Sequence, residues 1–389
     1  MTPPNTTNDP AWLRQQRELA WKTFAALPMP TRRDLDWQRF DIRKLNLDKL
    51  AGDQPAVNVK LSSAAGNGVI FCDMATALAK HPGILQEYLG KLIAPDEPHK
   101  FNALHAALWN AGAMLYVPAG VRVEVPVEIL YTLTGATGFP RTLIIIEPGA
   151  EATVVQKFIG GTGVPNLHGA GTEVFVKDGG RLHYISYQDF NPSVYDFTLK
   201  RARVGKDAEI DWVIGMFGAS FQRYDIECEM VGEGGTSFMY GVCFAENQQQ
   251  FAQFTKQHHR AGNTVSNLLF KNVLRDAAVT NFTGLIKVEK NANGTNAYQS
   301  NKNLVLSDKV KCDTRPILEI ESNKLRCTHG ATVGRLDEDQ LFYLRARGLP
   351  EEQARHVLLE AFLEPVLARI KVEAVYKEFS ELIHRKVSR

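Results

Sequence analysis

Cys327 and His329 stand two residues apart in the run Leu325-Arg-Cys-Thr-His-Gly330. A thiolate and an imidazole both suit iron, and side chains on an extended strand alternate between faces. The pair therefore shares one face while Thr328 takes the other. An ordinary structural role competes with this reading. A small buried cysteine beside a hydrogen-bonded histidine has the same spacing, and Leu325 on the same face favours it. His258 and His259 close the run Gln248–His259 (QQQFAQFTKQHH), where polar groups cluster without a packing reason. Being adjacent, they face opposite sides of a strand and cannot serve one site without a bulge, so one of them is expected at the surface. Glu319 and Glu321 share a face on the strand that begins beside Cys312. They are able to offer hard oxygen ligands, but two acids in that pattern read first as solvated surface.

A strand, a turn, a second strand and an abrupt helix position these groups. Ile317, Leu318 and Ile320 fit a strand, Ser322-Asn323 a turn, and Leu325 and Cys327 resume the alternation. From Asp337 the period becomes helical, with Asp337, Glu338 and Asp339 where a helix N-terminus favours negative charge. Further on, Pro350-Glu-Glu opens a helix with Val357, Leu358, Ala361 and Phe362 in one stripe, and Pro365 is expected to end or kink it. A last helix is expected over 372–386, with Val375, Phe379, Leu382 and Ile383 on one side. Both stripes are expected to pack on each other or to cap an open end of the β region.

Upstream of these elements the texture is β. After Ala113 apolar runs recur (MLYV, VRVEVPVEILYTL, TLIIIE, ATVVQKFI, EVFV, LHYISY, EIDWVIGMF) with almost no helical period for about two hundred residues. Turn signals separate them at Pro148-Gly149, Asp178-Gly179, Gly205–Asp207, Gly232–Gly234, Asp276, Asn293-Gly294, Ser307-Asp308 and Ser322-Asn323. The late signals fall roughly 15 residues apart and the early ones at about twice that, which suggests stacked coils with a degenerate repeat. Consecutive apolar positions and few Asn-Gly hairpins favour parallel solenoid strands over a sandwich. Before Ala113, a helix is expected from Pro10 toward Phe40, capped by Asn8 or Asp9 and ended by Pro28 and Pro30. A short strand at Val69–Cys72 and helices at His81–Leu92 and His99–Ala113 follow. Three regions result, at 1–112, 113–335 and 336–389.

Several functions are disfavoured by what the chain carries. Its 45 basic and 43 acidic residues leave +2, too little net field to draw in nucleic acid or an anionic membrane. The start MTPPNTTNDPAW has no basic and apolar leader, and no run approaches the roughly 20 apolar residues of a membrane helix, so a soluble cytoplasmic protein is expected. Five cysteines, odd in number and without a CxxC pair, read as free thiols. No phosphate-binding loop, nucleophile elbow or HExxH helix occurs, and Gly160–Gly163 lacks the setting of a dinucleotide site.

The segments Tyr298–Asp308 (YQSNKNLVLSD), Asp313–Ile320 (DTRPILEI), Cys327–Thr332 (CTHGAT) and Leu336–Gly348 (LDEDQLFYLRARG) closely resemble the SufB/SufD family of SUF iron-sulfur cluster assembly scaffolds. The versions CTHGATVG and DTRPILEI resemble its SufD branch, and the likeness extends through Lys271–Gly284 and His259. The resemblance implies a mainly β fold, a right-handed parallel β-helix core flanked by N-terminal and C-terminal helical segments. It implies a non-catalytic scaffold that pairs with a SufB-like subunit through the late coils. His329, with Cys327 behind it, then lies near a contact where a transient cluster is built, with no permanently bound cofactor on this chain. The C-terminal helices, through Leu341, Val357, Leu358, Ala361 and Phe362, are expected to bind a SufC-like ABC ATPase that itself holds the ATP. A homodimer of the isolated chain is a further expectation. The alternatives are a SufB-like scaffold, a β-helix enzyme such as a polysaccharide lyase or a hexapeptide-type acyltransferase, and a purely structural interaction module. A lyase is usually secreted and an acyltransferase shows a strict short repeat, neither of which fits.

Overall fold

The computed structural model describes residues 1–43, 45–50, 56–63 and 68–387. From Ala111 to Gly334 the chain winds between two sheets of nine and ten strands, each strand pairing in parallel with the one a full coil away. This is a parallel β-solenoid. Tyr195, Phe221, Gln250, Val279 and Lys311 stand in one column, so successive coils take 26, 29, 29 and 32 residues.

The roughly 15-residue period of the late turn signals is a half-coil. Pro148-Gly149, Asp178-Gly179, Gly205–Asp207 and Gly232–Gly234 lie on one edge of the solenoid, whereas Asp276 and Ser307-Asp308 lie on the other. The first edge is a backbone ladder: Gly149 N–H donates to Asp178 O, Gly179 to Lys206, Asp207 to Glu233, Gly234 to Gly262, Asn263 to Asn293 and Gly294 to Lys324. All six donors have φ between +49° and +76°. Only glycine, asparagine and aspartate enter that left-handed region cheaply, which is why the turns recur as Gly, Asn or Asp.

Apolar residues occupy consecutive positions because both faces of each sheet are covered. Ile144 and Ile146 point into the solenoid with Tyr184, Trp212 and Met239. Leu143 and Ile145 between them point outward, under N-terminal elements that contribute Leu13, Trp37, Phe101 and Leu104. Phe101 stacks on Phe197 with ring centroids 3.6 Å apart. On the opposite flank the C-terminal helices seat Leu359, Leu363, Phe379 and Leu382 against Ile185, Val213, Tyr240 and Val242.

Those helices neither cap an end nor pack chiefly on each other, which corrects the expectation for their stripes. Solenoid faces bear the apolar area they cover. Pro365 sits inside the helix Glu351–Leu367 and the helix ends two residues later. Near the N-terminus the helix spans only Ala11–Ala26, and the chain beyond Pro28 runs irregularly through turns, with 3-10 helices at Leu35–Trp37 and Leu47–Leu50. Pro10 itself is the N-cap without a side-chain cap, because Asp9 pairs with Arg17 at 2.9 Å instead. The helices expected at His81–Leu92 and His99–Ala113 are Pro82–Tyr88 and Lys100–Leu108, and Ala111 already begins a strand.

Candidate functional site

The solenoid ends without a cover. Strands Lys311–Ile320 and Leu325–Gly334 form the last coil, each paired on one side only and each largely solvated. The inward column Val154, Tyr184, Trp212, Met239, Leu268, Gln299 terminates at His329. A position that is core in every earlier coil is therefore solvent-facing in this one. Cys327 lies over Ala297, half-buried in a small cluster with Ile286, Val288 and Leu318, and burial pushes its thiol pKa up. His329 is exposed and makes no side-chain hydrogen bond among the described residues. The pair thus sits at the rim, one member anchored by packing and the other open.

On the facing strand, Cys312 is packed against the main core and burial raises its thiol as well. Asp313 pairs with Arg39, so the N-terminal segment reaches the last coil across the flank of the solenoid. Glu319 and Glu321 are exposed, as two acids on a strand's solvent face should be. Ile317 and Ile320 are each 41 % exposed and Val333 52 %. Sequence reasoning missed these apolar residues, since only the absence of a following coil makes them surface.

The two adjacent histidines depart from expectation, for both are buried. His259 bridges Thr264 Oγ1 at 2.8 Å and Ser266 Oγ at 2.9 Å, and burial drives its pKa down to about 3. His258 is held by Glu289 at 2.7 Å. Among the described residues His258, Glu227 and Glu229 are the one trio of ligand type in close proximity. Protein cations already occupy it: Lys256 meets Glu227 at 2.5 Å and Arg203 meets Glu229 at 2.9 Å. Part of the polar run before the histidines is bonded within the fold, Gln249 donating to Ala219 O at 2.7 Å and Gln253 to Asn272 at 3.0 Å, whereas Thr255 Oγ1 and the Gln257 amide are buried without a hydrogen-bond partner among the described residues.

Residues 130–362 match the family described as SUF system FeS cluster assembly, SufBD core domain, and residues 52–129 match the SufBD protein N-terminal region. The iron-sulfur cluster assembly protein SufD of Bacillus subtilis is 29% identical, over 97% of this chain and 95% of its own length. SufB of the same organism is 30% identical over 79% of this chain and 66% of its length. The chain belongs to the SufB/SufD family. Its match to SufD along nearly the whole of both chains places it in the SufD branch.

In this SufD-branch chain the C-terminal helices expose a different set of residues from the one expected. Leu341 is buried, 3 % exposed, so it is not available to a partner. Its neighbours Phe342 and Tyr343, 73 % and 58 % exposed, turn outward in its place. Three consecutive apolar residues cannot share one helix face, so at least one of them had to be solvated. Asp337 caps this helix, accepting from Asp339 N at 2.9 Å and Gln340 N at 3.1 Å. On the next helix Val357 and Ala361 are exposed and Leu358 and Phe362 half-buried, while Ala354, Leu359 and Leu363 take the packed face. Among the described residues no helix is long and apolar enough to cross a membrane.

Proposed function

We propose that this chain is a non-catalytic scaffold subunit of iron-sulfur cluster assembly, of the SufD kind, which pairs with a SufB-like subunit through its last coil. The observation that carries the reading is the uncovered rim. Two long parallel edge strands offer unpaired backbone groups and exposed Ile317, Ile320 and Val333, an arrangement that a monomer rarely leaves open. The nascent cluster is the cargo. Cys327 and His329 supply two ligands where a stable cluster usually takes about four, so the partner must contribute the rest, and the site is shared and transient. Cys327 must lose its proton to ligate, and burial holds that proton on, so loading is favoured as pH rises.

The exposed face of Phe342, Tyr343, Val357 and Ala361 is the docking surface for a SufC-like ABC ATPase, which binds the ATP. Residues 1–112 brace the flank, 113–335 form the solenoid and 336–389 carry the dock. The chain acts in the cytoplasm. Isolated, its open edge pairs with a second copy. The reading is tested by co-expression with SufB and SufC homologues. A complex that survives Val333→Lys and Ile320→Lys together would refute it, and so would unchanged acid-labile sulfide in the complex carrying His329→Ala.

A further inference from the structure

Away from the rim, on the outer face of the nine-stranded sheet, strands Arg181–Phe190 and Glu209–Met216 run side by side. Their register sets Arg181 against Glu209 and His183 against Asp211, with Thr153 on the far side of His183. His183 is 7% exposed and Asp211 4%. His183 Nδ1 lies 3.3 Å from Asp211 Oδ2, yet the two are not aligned as a hydrogen bond, and both ring nitrogens together with Asp211 Oδ1 have no partner among the described residues. A buried polar atom left unmade costs about 1–3 kcal/mol, and three in one place call for something that satisfies them together. These groups face a cavity of about 260 Å³ that Glu151, Glu209 and Lys371 also line. One water takes about 30 Å³, so there is room for an ion and several waters.

The charge balance selects the sign of the occupant. Arg122 lies 3.3 Å from Glu151 and 3.4 Å from Glu124, and Arg181 lies 3.3 Å from Glu151, so these cations are neutralised within the lining. Glu209, half-buried, has no ion pair among the described residues, and Asp211 has, besides His183, only Lys371 Nζ at 3.8 Å. The carboxylates Glu124, Glu151, Glu209 and Asp211 therefore outnumber the cations Arg122, Arg181 and Lys371 by one, and the His183 imidazole lies beside them. Calcium and magnesium prefer all-oxygen shells, whereas imidazole with carboxylate suits a divalent transition metal. Lys371 belongs to the short link between the last two helices, is 67% exposed at its side chain and is free to swing outward.

We propose that His183 and Asp211 form a binding site for one divalent transition-metal ion on the flank of the solenoid, with Lys371 Nζ holding the position of the cation when no ion is bound. Glu209, two residues before Asp211 on the same face, is the further carboxylate within the cavity. The site is independent of the rim and of the assembly reading.

Calorimetric titration of the full chain with Zn2+ tests it, carried out in a Cys327→Ser, His329→Ala background so that rim ligands do not contribute. One equivalent is expected to bind, weakened at least tenfold by His183→Phe and by the near-isosteric Asp211→Asn, and tightened severalfold by Lys371→Met. Circular dichroism and urea midpoints confirm that each variant is folded. Unchanged Zn2+ affinity in both His183→Phe and Asp211→Asn overturns the site. So does a Lys371→Met variant that binds no tighter, or a cavity that takes inorganic phosphate in place of the metal.

Discussion

At the first coil of the solenoid, short strands Val57–Leu61 and Ile70–Asp73 border the two sheets antiparallel to their neighbours, whereas at the last coil both borders are parallel and ten residues long. The first border is short and turned back on itself, with helices packed beside it. The last presents two full-length edges with apolar side chains in solvent. Edge strands of that kind invite pairing, and natural monomers usually blunt them. The chain blunts one end and leaves the other, and the partner contact proposed above lies at the end left open. Buried charge follows the same division. Near the first coils Glu173 is fully buried, pairs with Arg141 at 2.6 Å and accepts from the backbone of Gly90, Leu92 and Ile93. At the last coil the ionic contacts, such as Arg39 with Asp313, are solvated.

The largest effect is expected at the closed end. Glu173→Ala strands the Arg141 guanidinium and three backbone N–H groups, and should cost about 3–5 kcal/mol in a urea titration. A loss under about 1 kcal/mol would remove the claim that this end is locked by its buried pair.

Acid should act on the covered body before the rim. His99 and His259 have pKa values lowered to about 3 by burial, and His105 is driven well below its usual value for the same reason. The unfolded chain takes up their protons near pH 6.5 while the folded chain does not. Stability is therefore complete above about 6.5 and falls toward pH 3, by about 1.4 kcal/mol per pH unit for each group. Urea midpoints that stay flat from pH 6.5 to 5 would contradict neutral burial.

At the open end the expected losses are functional. His329→Ala should shift stability by less than about 0.5 kcal/mol, because the side chain is exposed and unbonded, while cluster yield in the complex drops. Cluster loading of the unaltered complex should still be rising near pH 8.5, the ordinary thiol range, since Cys327 sits above it. The smallest effect on folding belongs to Phe342→Asp with Tyr343→Ser, expected within about 0.5 kcal/mol by the same urea assay. Co-purification of the ATPase should fall in that variant, and its retention would place the dock elsewhere.

The solenoid was legible because turn chemistry repeats: left-handed positions demand Gly, Asn or Asp, and those residues recur in the sequence at the spacing of the edges. Strand Val194–Val204 (VYDFTLKRARV) was harder to see, since Asp196 and Lys200 are buried inside it. Asp196 holds His168 at 2.7 Å and Lys200 holds Tyr184 at 2.8 Å, partners from strands up to 28 residues earlier that no local pattern reveals. The spacing of Cys327 and His329 was readable from alternation alone. Their exposure was not, because it depends on the coil that does not follow them. Leu341 was misread for a related reason: periodicity identifies an apolar face but not which of two neighbouring faces is already occupied.

Because each coil touches only the coil before and the coil after, the solenoid is also a length standard. Strand spacing makes each step about 4.8 Å, so excising one whole coil from the middle should draw the rim that much nearer the closed end while leaving its residues in the same mutual arrangement. The distance between the two ends and the side chains displayed at each are thereby independently adjustable, and a lineage can retune the separation between the blunted end and the open rim by counting repeats.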